Sequence, residues 1–303
     1  MPKAWFTVLV LMTVLSAAAL ADPSASRKIW VDKPGLSPMT EGLPIGNGRL
    51  GAVLLGGVKQ ERIVLNEDSM WSGGPYDADN PDAYSVLQPS RALLFAGKYA
   101  EAQELIQSKM ICRTTVANRS EFGQYEILGN LCLHFDSIHD SLSYRRELDL
   151  ATATVRVTFE QDGATFTREG FVSAPDQVIV IRLSCTRPGQ IGFRMTLDRP
   201  EKFGTIANRP NGLIMSGQLS TGSSDAGLQY MARVQVVSRR GQTCVVSDSN
   251  GVPQLVVENS DEALVLITAA TDYKAADYAE RSRRQLSDAA LKSFDELWSR
   301  HLA

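Results

Sequence analysis

Histidine and cysteine are scarce in this chain, and neither occurs in the spacings that metal sites or nucleophilic catalysts use. The 303 residues include three histidines and four cysteines. There is no Cys-x-x-Cys pair, no His-Glu-x-x-His motif and no Gly-x-Ser-x-Gly motif. A structural zinc site, a zinc peptidase and a hydrolase with a nucleophile elbow are therefore not indicated. The sequence predicts neither a metal nor a cofactor.

An excess of basic charge is also absent. The formal net charge is -3 at pH 7, which argues against nucleic acid as the main partner. No internal repeat, low-complexity tract or long linker interrupts the sequence. The four cysteines are widely spaced in a domain large enough not to need cross-links, so no obligatory disulfide is predicted. They are Cys112, Cys132, Cys185 and Cys244.

The first 21 residues have the pattern of a secretory signal peptide. Lys3 supplies a short basic region, and an apolar run over residues 4–18 follows it. Ala19-Leu20-Ala21 then gives a small-x-small cleavage site before Asp22. A membrane anchor is the alternative, but the run is short for a bilayer span. We expect a cleaved signal, a periplasmic or extracellular protein, and no membrane association after cleavage.

The stretch 43–75 is the most unusual part of the chain. Two apolar runs, 50–56 and 62–66, are separated by a short turn and predict an antiparallel hairpin. In such a hairpin the residues that enter the first strand lie beside those that leave the second. Six polar or aromatic residues should therefore meet at one end: Asn47, Arg49, Asn66, Glu67, Asp68 and Trp71. They predict either a sugar-facing surface or a structural corner in which Asn and Asp cap turns and Trp fills a seam.

No pair of carboxylates in this stretch is well placed for catalysis. Glu67 and Asp68 are adjacent at a strand end, so their side chains should point to opposite faces. Glu41 or Asp77 could partner one of them, but no spacing supports this. Turn capping, or an ion pair with Arg49 or Arg62, is the more common role of such carboxylates.

The rest of the chain has the pattern of a mainly β protein. Short alternating runs follow one another from residue 126 to residue 269, and Asp162-Gly163 between two of them predicts a tight hairpin. This pattern predicts a large antiparallel β-sandwich. A short helical insert should begin at Pro89 and break at Gly97. Residues 200–224 predict an exposed connection, with a short strand at 213–217. Residues 277–302 carry a helical apolar stripe that should dock on another surface.

Several of these segments resemble glycoside hydrolase family 95, the inverting alpha-L-fucosidases. The resemblance is carried by EGLPIGNGRLGA at 41–52, ERIVLNEDSMWSGGP at 61–75, DNPDA at 79–83 and, with departures, QYEILGNL at 124–131. It implies a super-sandwich domain over 22–275, followed by the first part of a helical linker over 276–303. It also implies a fucosylated glycan as the substrate.

In that family the catalytic residues come from an (α/α)6 barrel in the same polypeptide, so none is carried over to this sequence. The resemblance implies that the chain is the front part of such an enzyme, truncated before the barrel. A non-catalytic carbohydrate-binding or scaffold module and a gene remnant are the alternatives.

Overall fold

The computed structural model describes residues 27–74, 77, 79–112, 123–139, 142–201, 203–208, 210–221 and 226–303. The expected signal peptide lies outside these residues. The described residues form sixteen strands and five helices. The strands are β1 (Lys28–Val31), β2 (Leu43–Gly46), β3 (Leu50–Leu54), β4 (Gln60–Glu67), β5 (Gly129–His134), β6 (Leu142–Asp149), β7 (Thr154–Gln161), β8 (Ala164–Ser173), β9 (Val178–Cys185), β10 (Ile191–Asp198), β11 (Phe203–Asn208), β12 (Gly212–Ser220), β13 (Ala226–Arg239), β14 (Gln242–Ser247), β15 (Pro253–Ser260) and β16 (Glu262–Thr271). The helices are α1 (Pro38–Glu41), α2 (Ala83–Phe95), α3 (Tyr99–Lys109), α4 (Tyr278–Ala290) and α5 (Phe294–Leu302).

Two antiparallel sheets form a sandwich around one apolar core. The larger has nine strands in the order β1-β6-β7-β8-β9-β16-β13-β12-β11, and the smaller has seven in the order β14-β15-β10-β5-β4-β3-β2. Buried side chains from both sheets, such as Ile63 and Leu131 from one and Val157 and Ile267 from the other, belong to one contacting cluster. The predicted mainly β sandwich is confirmed.

The alternation of apolar and polar residues explains why these segments become half-buried strands. In β5 the burial alternates residue by residue, with Leu131 and Leu133 fully buried. The predicted hairpin at Asp162-Gly163 is also correct. Both residues have positive φ, 51° and 71°, as expected for the two central residues of a type I′ turn.

The helical insert starts earlier than predicted. Helix α2 begins at Ala83, and Pro89 lies inside it rather than at its start. A proline in a helix interior removes the hydrogen bond to the carbonyl four residues earlier, here that of Ser85. Because Ser85 is exposed, water can satisfy that carbonyl. The predicted break at Gly97 is correct, since its φ is +73°.

In the described part of 200–224 the predicted exposed connection is wrong, whereas the strand predicted at 213–217 is confirmed within β12. That part carries β11 and β12, which pair from Phe203 with Gly217 to Asn208 with Gly212 and form one edge of the larger sheet. The glycines and polar residues that indicated a loop occupy an exposed edge hairpin instead.

The C-terminal segment forms two helices rather than one. Ser293 starts α5 with a reciprocal capping box to Glu296. The apolar stripe, which includes Leu286 and Leu297, packs on the outer face of the larger sheet over Phe171 and its neighbours. The surface on which this segment docks is therefore the sandwich itself. Among the helices of the described ranges, none combines the length and apolar character needed to cross a bilayer.

Candidate functional site

The open end of the β3–β4 hairpin brings the predicted site residues to one end of the sandwich. Leu50 pairs with Glu67 and Gly51 with Asn66, so residues that precede β3 lie beside residues that follow β4. The backbone N–H of Asp68 donates to the Arg49 carbonyl at 2.9 Å. The six residues then divide into an internal group, whose side chains bond within the fold (Asn47, Arg49 and Glu67), and an outer group that we call the exposed group (Asp68 and Trp71, which are exposed, and Asn66, which is half-buried).

Asn47 serves the turn that leads into β3. Its Oδ1 accepts hydrogen bonds from the backbone N–H groups of Arg49 at 3.0 Å and Leu50 at 2.8 Å. Its Nδ2 donates to the Ser173 carbonyl at 3.0 Å, which belongs to the opposite sheet. Because both ends of the amide are engaged within the fold, Asn47 acts as a structural cap.

Arg49 reaches across the end of the sandwich to the larger sheet. Its Nη1 donates to the Ala269 carbonyl at 2.6 Å, its Nε donates to Gln177 Oε1 at 2.5 Å, and it lies 3.5 Å from Glu67 Oε1. Burial lowers the pKa of the Arg49 guanidinium, and the nearby Glu67 carboxylate opposes that effect. Of the two arginines that the sequence offered as ion-pair partners, Arg49 forms the pair, with Glu67.

Glu67 continues the same polar network. Its Oε2 accepts from the backbone N–H of Ser69 at 2.8 Å and from the Ser69 hydroxyl at 2.5 Å. The hydroxyls of Ser69 and Thr271 lie 2.5 Å apart and share a hydrogen bond. Arg49, Glu67, Ser69 and Thr271 therefore join the ends of β3, β4 and β16. These residues hold the two sheets together at this end.

The exposed group centres on an aromatic pair. Trp71 forms an isolated β-bridge with Tyr125, and their rings meet edge to face with centroids 5.7 Å apart. The Tyr125 hydroxyl donates to Asn66 Oδ1 at 2.9 Å. Trp71 is 54% exposed and Tyr125 45% exposed. Partial burial raises the pKa of the Tyr125 phenol, and the nearby Glu67 and Asp68 raise it further, so the phenol remains a hydrogen-bond donor at neutral pH.

Asp68 borders the aromatic pair and carries an exposed ion pair. Its Oδ2 lies 2.6 Å from Lys274 Nζ. Lys274 also lines a narrow pocket with Arg49, Glu67 and Tyr278. Sequence reasoning missed Tyr125 and Lys274, because they are 59 and 206 residues from the hairpin residues that they contact.

Comparison with known proteins gives this arrangement a context. A family model described as glycosyl hydrolase family 65, N-terminal domain, matches residues 29–276. This chain belongs to that family. The matched residues of this glycosyl hydrolase N-terminal domain run from β1 to the segment that precedes α4 and contain the whole candidate site.

Curated relatives of this domain are alpha-fucosidases. "Alpha-L-fucosidase 2" from Arabidopsis thaliana is 32% identical over 294 residues, which cover 87% of this chain and 34% of that protein. "Probable alpha-fucosidase A" from Aspergillus niger is 29% identical over 309 residues, covering 94% of this chain and 37% of that protein. The chain thus spans about a third of the length of these relatives. The expected resemblance to the N-terminal domain of alpha-L-fucosidases is confirmed.

A solved structure shares the fold of this domain. It is described as "Putative kojibiose phosphorylase from human microbiome" and aligns with a TM-score of 0.52 at 8% identity. The alignment covers 92% of this chain and 37% of that one. At this identity the likeness concerns the fold alone.

The carboxylates of the glycosyl hydrolase N-terminal domain that lie near the candidate site already have partners. Glu67 is buried and Asp68 is paired with Lys274, and their side chains diverge as predicted. Glu41 lies at the other end of the hairpin, since the next strand begins with Leu43 paired to Leu54. Within the described residues, no cluster of three or more His, Cys, Asp or Glu side chains is arranged to hold a metal ion.

Proposed function

We propose that this chain is the N-terminal domain of an exported glycoside hydrolase that removes terminal alpha-L-fucosyl residues from glycans with inversion. The observation that carries the proposal is the 32% identity to Alpha-L-fucosidase 2. Membership of a glycosyl hydrolase domain family supports it. Export is proposed from the signal-peptide pattern of residues 1–21 and would place the protein in the periplasm or outside the cell.

In this proposal the catalytic pair is supplied by a second domain. An inverting glycosidase needs an acid and a base about 6.5–9.5 Å apart, with room for a water molecule between them. Glu67 and Asp68 diverge, and both are held by hydrogen bonds or ion pairs. The barrel that the family resemblance implies would provide the acid and the base, while the sandwich supports it.

The exposed group faces the sugar or the barrel in this proposal. Trp71 and Tyr125 offer ring surface, and aromatic side chains with a polar tip suit interfaces that are partly apolar and partly wet. Because Asn66 Oδ1 accepts from Tyr125, the Asn66 amide nitrogen is oriented to donate, with two N–H groups available for a hydroxyl.

The test is L-fucose release from a terminally alpha-L-fucosylated oligosaccharide. One sample is residues 22–303 alone, and the other is the same chain fused to the remaining segment of the Arabidopsis relative. We expect release by the fusion only, from two proteins that both show cooperative melting curves. Release by the chain alone would refute the proposal that a second domain supplies the catalytic acid and base. Glu67→Gln and Asp68→Asn would then be the next variants. A folded fusion without activity would contradict the proposed reaction.

A non-catalytic carbohydrate-binding role is the second candidate, and the solvent-exposed Trp71–Tyr125 pair favours it. Calorimetric titration of the chain with fucosylated oligosaccharides tests this role directly. Trp71→Ala should abolish the binding heat, whereas Trp30→Ala should not. Trp30 is a matched control because it is similarly exposed but lies on the edge strand β1. Binding that survives Trp71→Ala would remove this surface from consideration.

A further inference from the structure

Helices α2 and α3 form a helical hairpin that packs mainly on itself. We call residues 79–112 the arm. Ser90 and Ala102 are the buried residues of α2 and α3, and Ser90 Oγ lies 3.7 Å from the sulfur of Met110, which follows α3. Of the residues described, no side chain of either helix belongs to the core between the sheets or to the cluster beneath the C-terminal helices. The arm therefore gains little stability from the sandwich.

The arm presents large apolar side chains to solvent. Phe95 is 92% exposed, Tyr84 is 87% exposed and Tyr99 is 69% exposed, and Leu94 and Ile111 are also exposed. Isolated helices of this length are marginal in water and depend on packing of an apolar face. Exposed apolar surface of this kind is typical of a protein–protein interaction site.

The charges of the arm nearly balance, since residues 79–112 contain four acidic and three basic side chains. Lys98 pairs with Glu101 at 3.2 Å, and Lys109 lies 3.8 Å from Asp82. A partner would thus meet mainly apolar and aromatic surface rather than a field of one sign. Docking on the arm should accordingly depend little on salt.

The segments that precede and follow the arm along the chain meet beside the exposed aromatic pair. The backbone N–H of Ser72 donates to the Gln124 carbonyl at 2.9 Å, and the Gln124 N–H donates to the Ser72 hydroxyl at 3.0 Å. Trp71 and Tyr125, the next residues along each segment, form the β-bridge. The chain therefore leaves the sandwich before the arm, and rejoins it after the arm, at the end that carries the candidate site.

The last helix ends at the same end of the sandwich. Arg300 Nε donates to Asp176 at 3.0 Å, and His301 Nε2 lies 2.8 Å from the Thr152 carbonyl. Thr152 and Asp176 belong to the turns that precede β7 and β9, and the turn before β9 also holds Asn47 through Ser173. In relatives about three times as long as this chain, a domain that follows α5 would begin on the side where the chain leaves the sandwich for the arm.

We propose that the arm is a docking element for the second domain that occupies the remaining length of the alpha-fucosidase relatives. The proposal names the partner, a domain with an apolar surface that receives Phe95 and Tyr99. It rests on the proposed function, because that function requires a second domain. A second copy of this chain is the competing occupant and is an outcome of the test.

The test measures binding of the purified chain to the separately produced remaining segment of the Arabidopsis relative, immobilised on a sensor. The arm variant carries Phe95→Lys and Tyr99→Glu together. These changes remove two exposed aromatic rings, leave the net charge unchanged, and place a cation at a helix C-terminus and an anion at a helix N-terminus, where both are tolerated. The control is Leu142→Lys, an exposed apolar residue at the opposite end of the sandwich.

We expect the arm variant to bind at least about tenfold more weakly, since exposed aromatic anchors dominate such interfaces. The control should bind like the unmodified chain, and raising the salt concentration should change either affinity little. Hydrogen exchange of the chain alone should show the arm amides exchanging faster than those of the strands, with the partner segment slowing them.

Four results would overturn the proposal. Equal binding by the arm variant would leave the two-domain function intact but move the interface elsewhere. A dimer of the chain that the arm variant abolishes, measured by light scattering, would make a second copy the occupant. No binding by the unmodified chain would refute the docking proposal and count against the two-domain function as well. Slow exchange of the arm in the chain alone would show that it needs no partner.

Discussion

Glu61 and Arg168 form a buried ion pair at the closed end of the β3–β4 hairpin, and its removal should be severely destabilising. One Glu61 oxygen accepts from the N–H groups of Leu55 at 3.0 Å and Gly56 at 2.9 Å. The other lies 3.2 Å from Arg168 Nη1, and Arg168 Nη2 donates to the Val58 carbonyl at 2.7 Å. Both side chains are almost fully buried.

The perturbation is Glu61→Ala. It removes the acceptor for two backbone N–H groups and leaves the Arg168 charge buried without a counterion, which costs about 3–5 kcal/mol. Domains are stable by only about 5–15 kcal/mol, so this loss is a large part of the total. The control is Asp136→Ala, which breaks a bidentate arginine–carboxylate pair with Arg194 on the surface, with N–O distances of 2.8 and 2.9 Å. Its cost should stay below about 1 kcal/mol.

Urea unfolding followed by circular dichroism measures both losses, provided that the dependence on urea is unchanged. A third variant, Glu61→Leu with Arg168→Met, removes both charges and should be more stable than Glu61→Ala alone. If Glu61→Ala costs no more than Asp136→Ala, or if the double variant is the least stable of the three, the reasoning from burial is refuted.

Three further predictions concern other parts of the fold. Burial raises the pKa of the Asp176 carboxyl, but hydrogen bonds from Arg300 and Ser173 outweigh it and hold the pKa below its usual value. Asp176 therefore contributes stability above about pH 4 that is lost as the pH falls further, and Asp176→Asn should flatten the acid limb of a stability–pH curve. Burial raises the pKa of the Cys132 thiol to about 11, so iodoacetamide at pH 8 should modify it only after unfolding. Gly163→Ala places a side chain at φ +71° and should cost about 1 kcal/mol, seen as a lower Tm.

The strands were predictable because the pattern of apolar residues that specifies a strand lies within the strand itself. A half-buried strand needs apolar residues at every second position. The sequence shows this pattern at Leu131 and Leu133 in β5 and at Val155 and Val157 in β7. The hairpin at Asp162-Gly163 was equally predictable from the sequence, because few other residue pairs tolerate the required positive φ values. The sandwich follows from many such segments in succession.

The boundaries of helices were harder, because tertiary context and solvent decide them. Pro89 predicts a helix start, yet it lies inside α2, where the carbonyl that it leaves without a helical partner belongs to the exposed Ser85. The apolar stripe of 277–302 is continuous in sequence, although Ser293 restarts the helix with its own cap. Both errors come from treating a local preference as decisive.

The candidate site was predictable only in part. Hairpin geometry brings Asn47, Arg49 and Glu67 together, because residues at one end of an antiparallel pair are neighbours. It does not reveal that Tyr125 and Lys274 arrive from distant segments, since such contacts depend on how the whole chain packs. Sequence also does not separate the exposed residues from those committed to holding the sheets together.

That separation changes how mutational data on relatives should be interpreted. Arg49 and Glu67 tie the two sheets at the end from which the arm extends, so their loss would loosen the platform on which an active centre is assembled. A screen scored only by turnover would classify such variants as catalytic. A screen that also records the amount of folded protein would classify them as scaffold variants, and would separate them from Trp71, whose replacement leaves the platform intact.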